Sequence, residues 1–275
     1  MSSRELAEKH AGRRHWRHAF LARSVAESYE CRPAYSAEVY THLLGLLPVD
    51  PRAVLDAGCG TGELARRLAR EVERVDAVDP SDEMLRVGRG LPGGDAAQLR
   101  WISAPIEDAA LAGPYGLAVA GASFHWFDPD RALARFAQVL VSEAVLAMVD
   151  GDGAWDAPWL EAELELMYDV AERRTGERPS FQRFDVERDF GFEHPLFEQL
   201  GTRVTEPAPF EQPVEDYLTC QHSRASLSLE TLGPEIARDF DAELRQILSP
   251  YTRDGRIRYD VRTRIEWGRP LRRRA

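Results

Sequence analysis

The chain has 275 residues, a formal net charge of −11 and one lysine, Lys9, so arginine carries nearly all of its positive charge. With 44% hydrophobic and 29% charged residues it has the balance of a soluble globular protein, long enough for one substantial core or for a domain with an insertion. Several classes are excluded at this stage. No apolar run could span a bilayer, and the amino-terminal twenty residues have no apolar h-region and contain Glu5 and Glu8. The acidic balance argues against a nucleic-acid binder, and the basic stretches at Arg13–Arg17 and "RPLRRRA" read as solvated faces. Cys31, Cys59 and Cys220 are odd in number and contain no CxxC, which fits a reducing compartment. A cytoplasmic protein is expected, with no membrane and no nucleic-acid partner; oligomeric state is not legible.

In chain order, "AVLDAG" reads as a short apolar strand, and "GELARRLAREV" as a helix with Leu64, Leu68 and Val72 on one stripe. "VERVDAVD" is a second strand ending at Asp79, and "SDEMLRVGRG" a helix opening on Ser81, Asp82 and Glu83 and stopping at glycines. "LRWIS" is a third strand. "GLAVAGA" is a fourth, apolar on both faces as a central parallel strand should be. "DPDRALARFAQVL" starts a helix with Asp128 as N-cap and Pro129 in the first turn, and "EAVLAMVD" is a fifth strand. This alternation predicts an open parallel α/β sheet. Beyond Asp150, "GDGAWDAPW" is a loop, 158–176 is helical, 177–198 is irregular and aromatic-rich, and "LGTRVTEPAPFEQP" holds a sixth strand. Residues 214–227 and 233–251 read as helices, and "GRIRYDVRTRIEW" as one last strand at or near a sheet edge.

The stretch between strand one and helix one, "GCGTG", places glycines at 58, 60 and 62. Such a turn can take positive φ and bring backbone N–H groups close to a ligand at the carboxyl end of the sheet. Asp79, at the end of strand two, stands where a carboxylate accepts hydrogen bonds from ribose hydroxyls. Two nucleoside ligands compete for this geometry. Dinucleotide enzymes use GxGxxG, whose helix end meets a pyrophosphate. Here the pattern is GxGxG, with Asp56 before it and Glu63 after it. Two carboxylates repel a pyrophosphate and favour a ligand with a cationic end, so S-adenosylmethionine, leaving as S-adenosylhomocysteine, suits the loop better than NAD.

These residues resemble a known family. "VLDAGCGTGELARRLA", "VDAVDPSDEMLRVGR", "ISAPIEDAAL" and "FHWFD" are similar to class I S-adenosylmethionine-dependent methyltransferases of the small-molecule type, nearest to the trans-aconitate methyltransferase-like group. The resemblance covers residues 25–150. It implies a Rossmann-like, seven-stranded, mostly parallel sheet with helices on both faces, strand seven antiparallel, and a helical insert before strand six. It implies a division into a lid segment (1–50), a cofactor-binding core (51–150), an insert over the active site (151–200) and a completion of the sheet (201–275). By the same resemblance Asp56, Gly58 and Gly60 line the methionine moiety and Asp79 holds the ribose. Pro80 and Met84 border the adenine, Ile106 and Glu107 approach its edge, and Ser123 lies at the end of strand four. The family often has an acid two residues before that glutamate, and this chain has Pro105. "AESYECRPAY" is similar to the lid, with Tyr29 covering the cofactor and Arg32 meeting its carboxylate.

The acceptor is expected over the end of strand four, beside "ASFHW". His125 is the first candidate base, against the reading that its ring only packs beside Trp126. Phe124 and Trp126 could wall the acceptor pocket or sit in the core. A second patch, "CQHSRASL", groups His222, Ser223 and Arg224 as possible catalytic or acceptor-binding groups. Trp155, Trp159, Tyr168 and Phe181 are expected to roof the pocket or fill a core. Cys59 reads as a packed side chain rather than a nucleophile. His10, His15 and His18 have no carboxylate or cysteine partner in pattern, and no metal is expected. A methyltransferase acting on an oxygen of a small molecule is the leading reading. Carbon or nitrogen acceptors, a nucleic-acid methyltransferase, an NAD-dependent oxidoreductase and a non-methylating protein on the same fold (a cyclase or cofactor-bound scaffold) stay open as rivals.

Overall fold

The computed structural model describes residues 15–151, 153–179 and 192–272, with side chains from residue 18 onward. Ten strands occur among them: β1 (Ala53–Ala57), β2 (Arg74–Asp79), β3 (Leu99–Ser103), β4 (Tyr115–Gly121), β5 (Leu140–Asp150), β6 (Ala154–Trp155), β7 (Phe197–Val204), β8 (Ala208–Pro213), β9 (Arg256–Val261) and β10 (Arg264–Pro270). The main sheet has seven of them in the order β3-β2-β1-β4-β5-β10-β7. Strands β1 to β5 pair in parallel, and β10 runs antiparallel to both neighbours. The expected seven-stranded sheet with an antiparallel seventh strand is therefore present. Its inner strand β1 is buried at every residue, Asp56 included, as a strand covered by helices on both faces is.

Helices α1 (Arg23–Ser28), α2 (Ala37–Gly45), α3 (Glu63–Leu68), α4 (Asp82–Gly90) and α5 (Pro129–Val139) surround the parallel part. Val39 and Leu43 of α2 and Leu64 and Leu68 of α3 pack on one face; Leu133 and Phe136 of α5 pack on the other. Asp128 caps α5 as expected, its carboxylate accepting the Arg131 N–H at 3.2 Å, and Ser81 caps α4 through the Met84 N–H. Outside the sheet, α1 lays Val25 and Ala26 against Met84 and Val87 of α4, and so brings the amino-terminal segment over the carboxyl ends of the strands.

The carboxyl-terminal half departs from the sequence reading in two ways. "GRIRYDVRTRIEW" is two strands rather than one. β9 pairs with β6 and β8 in a second, three-stranded sheet, whereas β10 enters the main sheet. "LGTRVTEPAPFEQP" likewise divides between β7 and β8. Both breaks fall at one place. The Thr205 N–H donates to the Thr263 carbonyl at 2.8 Å, and the Thr263 N–H donates to the Thr205 hydroxyl at 3.0 Å. One antiparallel ribbon thus bends at Thr205–Pro207 and passes from one sheet to the other. Its alternation continues through the bend, so a period-two pattern does not reveal it. The second difference is helical. The stretch 214–227 is α-helical only over α7 (Val214–Gln221), and α8 (Leu229–Leu248) kinks at Gly233, where φ is 74° and ψ 164°.

The second sheet and these helices enclose a core of their own. Trp159, Leu166 and Val170, from α6 (Leu160–Thr175) and its entry, meet Tyr217, Phe240, Leu244, Ile257 and Tyr259. Phe240 is fully buried there. Phe240→Ala is expected to cost about 3–5 kcal/mol in urea unfolding; a loss under about 1 kcal/mol would mean that this cluster is not a cohesive core.

Candidate active site

The turn after β1 is shaped by its own backbone. Gly58, Gly60 and Gly62 have φ of 64°, 53° and 79°. The Cys59 N–H donates to the Val78 carbonyl at 3.0 Å, and the Gly62 N–H donates to the Cys59 carbonyl at 2.8 Å. Two of the glycines are bare for reasons of protein packing. A Cβ on Gly58 would stand 2.6 Å from the Ser123 Cβ, and one on Gly62 would stand 2.4 Å from the Trp101 ring. Gly60 is different: a Cβ there would rest in ordinary contact with the Tyr29 ring, at 3.6 Å, without a clash.

Asp79 ties the turn to the next helix. Its Oδ2 accepts the Gly60 N–H at 2.9 Å and its Oδ1 accepts the Ser81 N–H at 2.8 Å. Burial pushes its carboxyl up to about 6, against the pull of these two donors. Asp56 is only 1% exposed, and its Oδ2 has no hydrogen-bond partner among the described residues. Burial pushes it up to about 7; the Ala65 N–H opposes this and Asp79 adds to it. Cys59 is partly buried on the cavity wall, and desolvation raises its thiol well above the usual range, which fits a packed side chain.

A cavity of about 430 Å³ lies on these groups. Asp56, Gly58, Gly60 and Asp79 line it from the turn; Pro80, Met84, Ile106, Glu107 and Ser123 line it from the ends of β2 to β4, with Trp126 and Phe127 beyond. The amino-terminal segment closes it with Phe20, Leu21, Tyr29, Arg32, Pro33 and Tyr35. Every residue expected at the cofactor therefore meets in one hollow. Ser123 donates its hydroxyl to the Ala57 carbonyl at 2.7 Å, and Glu107 Oε1 accepts the Asp128 N–H at 2.8 Å. Phe20 and Leu21 were not expected. No motif marks them, and they reach the cavity only because α1 docks on α4, which leaves Phe20 5.0 Å from the Trp126 ring centre.

The acceptor-side expectations fare differently. Of "ASFHW", Trp126 lines the cavity, but Phe124 is buried against Phe127 and Phe192, and the His125 ring leans on Trp126 at 4.8 Å off the cavity wall. His222 is buried, with Nδ1 2.7 Å from the Leu227 carbonyl and Nε2 3.0 Å from Asp241 Oδ1, so both ring nitrogens are engaged away from the cavity. Ser223 is fully buried under Arg32, and Arg224 stands beside Gly153. The insert aromatics do not roof the cavity: Trp159 fills the second core, Trp155 stacks under Arg262, and Tyr168 lies under Arg178. Phe181, His10 and the side chain of His15 lie outside the described residues, and His18 stands at the cavity rim. Among the described residues no group of three or more His, Cys, Asp or Glu side chains could hold a metal, and no helix is long and apolar enough to cross a membrane.

Residues 54–143 match the family model described as a methyltransferase domain. An uncharacterised methyltransferase of Mycobacterium tuberculosis is 37% identical over 128 residues, which is 46% of this chain and 50% of that protein. A malonyl-[acyl-carrier protein] O-methyltransferase of Geobacter sulfurreducens is 32% identical over 141 residues, 47% of this chain and 51% of that protein. The chain spans about half the length of the curated relatives it matches. A solved protein of Anaeromyxobacter dehalogenans, described as a type II methyltransferase, superposes with a TM-score of 0.59 at 25% identity, covering 88% of this chain and 99% of that one. The strand order and the superposition give the chain the class I fold of S-adenosylmethionine-dependent methyltransferases. Within it, residues 54–143 are a methyltransferase domain, as the glycine turn and Asp79 implied.

The two kinds of glycine separate by experiment. Gly62→Ala combines positive φ with a clash against Trp101 and is expected to destabilise the protein by several kcal/mol. Gly60→Ala carries only the left-handed strain, about 1–2 kcal/mol. Equal shifts in thermal unfolding would mean that packing does not dictate Gly62.

Proposed function

We propose that the chain transfers the methyl group of S-adenosylmethionine to an oxygen, carboxylate or hydroxyl, of a small-molecule acceptor. The observation that carries the cofactor half of this reading is Asp56: a carboxylate oxygen buried without a partner is costly, and a cationic ligand group in the adjoining cavity relieves that cost. The α-ammonium of the methionine moiety is such a group; a pyrophosphate is its opposite. Asp79 uses one acceptor position on each oxygen for the backbone, and a carboxylate has about four. The remainder face the cavity, where ribose hydroxyls would donate. Met84 and Ile106, each 2% exposed, offer apolar contact for the adenine beside Pro80 and Glu107.

When bound, this cofactor supplies a methyl group already activated by a sulfonium. The protein's part is to orient the partners and exclude water, which Tyr29, Phe20 and Trp126 do by closing the cavity. The acceptor belongs at the end of β4, where the Tyr35 hydroxyl would lie 3.3 Å from a Cβ on Gly121. No base is assigned to His125 or His222, since neither lines the cavity; a carboxylate acceptor needs none. The O-methyltransferase name of the Geobacter relative supports oxygen as the methylated atom.

Calorimetry with S-adenosylhomocysteine, S-adenosylmethionine and NAD tests the reading. Both adenosyl ligands are expected to bind, and Asp79→Ala to weaken them by about 2–4 kcal/mol, since charge-assisted hydrogen bonds contribute about 1.5–3 each. Binding of NAD alone would overturn it.

The raised carboxyl groups fix a pH dependence. Asp56, with its carboxyl at about 7 in the free protein, becomes neutral as pH falls through that value and then attracts no ammonium. Affinity for S-adenosylhomocysteine is therefore expected to be full near pH 8 and to fall towards pH 5.5. Asp56→Asn should weaken binding at pH 8 and flatten the upper part of the profile. Ligand-free stability has the opposite slope: between pH about 4 and 7 the folded state binds more protons than the unfolded chain, so stability falls as pH rises. A flat affinity profile would remove Asp56 from the ammonium site.

A further inference from the structure

No described residue beyond 150 lines the cavity, yet the carboxyl-terminal half holds its lid. Arg32 follows the turn at Tyr29–Cys31, and its backbone is extended (φ −70°, ψ 143°), as the next residue, Pro33, favours. Its Nε donates to the Ser223 hydroxyl at 2.7 Å, and its Nη2 donates to the Ser223 carbonyl at 3.3 Å. That hydroxyl has one proton, which it gives to the Cys220 carbonyl at 2.6 Å. Only its lone pairs then face Arg32, so the direction of every bond in the chain is set. Ser223 is fully buried, and the turn that bears it is pinned through His222, which bridges the Leu227 carbonyl and Asp241. Held in this way, the guanidinium lies over the Tyr29 ring, 4.2 Å from its centre. The Tyr29 ring in turn covers Gly60, the one glycine of the turn where a Cβ would meet nothing but that ring.

We infer that Ser223 is a positioning residue for the cofactor lid: by orienting Arg32 it sets how firmly Tyr29 closes over the glycine turn, and hence how tightly and for how long an adenosyl ligand is held. The sequence resemblance placed Ser223 at the acceptor and Arg32 at the cofactor carboxylate; the geometry gives Ser223 a different task, exerted from outside the cavity. The identity of the ligand rests on the function proposed above, whereas the mechanical link does not.

The test uses the full chain as wild type, Ser223→Ala, Arg32→Lys and the double variant. Arg32→Lys keeps the charge but loses the Nε donor and the planar face. Readouts are the Kd of S-adenosylhomocysteine, its release rate by stopped-flow displacement, and hydrogen exchange of residues 23–35 against that of β1 without ligand. Ser223→Ala is expected to weaken binding about tenfold, mostly through faster release, and to speed exchange in 23–35 but not in β1. Added to Arg32→Lys, it should change little more, because both act through one contact. Unchanged affinity and release in Ser223→Ala, or effects of the two substitutions that simply add, would overturn the inference. Should Ser223→Ala not fold, Ser223→Cys keeps the size with a weaker acceptor and is expected to show a smaller effect of the same kind. If the wild type binds no adenosyl ligand, the proposed function fails, and the lid link is then judged by exchange alone: equal protection of 23–35 in wild type and variant would end it.

Discussion

The site depends on one carboxylate that spans two elements. Asp79 leaves the end of β2, takes the Gly60 N–H on one oxygen and the Ser81 N–H on the other, and so fixes the glycine turn relative to the start of α4. The turn supplies little regular structure of its own; three consecutive alternate residues at positive φ would otherwise be free to move. Parallel pairing of β1 with β2 sets the distance that this bridge must cover. Register, turn and helix start are therefore one constraint, and the floor of the cavity is rigid before any ligand enters.

The second carboxylate plays against that rigidity. Asp56 sits in the same floor, is further removed from water than Asp79, and has an oxygen with no donor among the described residues. An unsatisfied buried charge destabilises the free protein, and its relief by a cation converts that cost into affinity. Asp79 spends its ionised form on the protein's own backbone; Asp56 keeps part of its own in reserve. On the proposed function the two acids divide the work, Asp79 holding the loop and Asp56 selecting the ligand's charge.

The parallel half of the fold was legible because its signals are local. The turns after β2 and β4 carry the residues that cap the next helix, Ser81 and Asp128, and the mostly apolar runs of β1 and β4 announce burial on both faces. Most of the residues that line the cavity were legible for the same reason, since the ends of successive parallel strands converge on one edge. The ribbon of β7–β8 and β9–β10 was not. Its bend at Thr205 and Thr263 keeps the alternation of side chains and changes only which sheet they meet. Phe20 and Leu21 were equally hidden, because their place in the cavity wall comes from the docking of α1 on α4 and from no motif. The histidines were misplaced by proximity in sequence: His125 follows Ser123 by two residues, but its ring turns against Trp126 and leaves the cavity to its neighbours.

The two hydrophobic cores give the molecule a physical separation between chemistry and control. Every described wall of the cavity comes from residues 18–127, while the second core, built around Trp159, Tyr217 and Phe240, encloses none of it. A core of this kind could vary without touching the cofactor, provided that its surface still presents one buried hydroxyl in the correct orientation. Ser223 is that point, because its proton is committed to the Cys220 carbonyl and its lone pairs to Arg32. Coupling between the halves then includes a directional hydrogen bond beside the packing of the lid on the carboxyl-terminal helices and the Ser24 hydroxyl's bond to Glu230. A change in the second core reaches the glycine turn by this route when it rotates this hydroxyl or displaces the guanidinium above Tyr29.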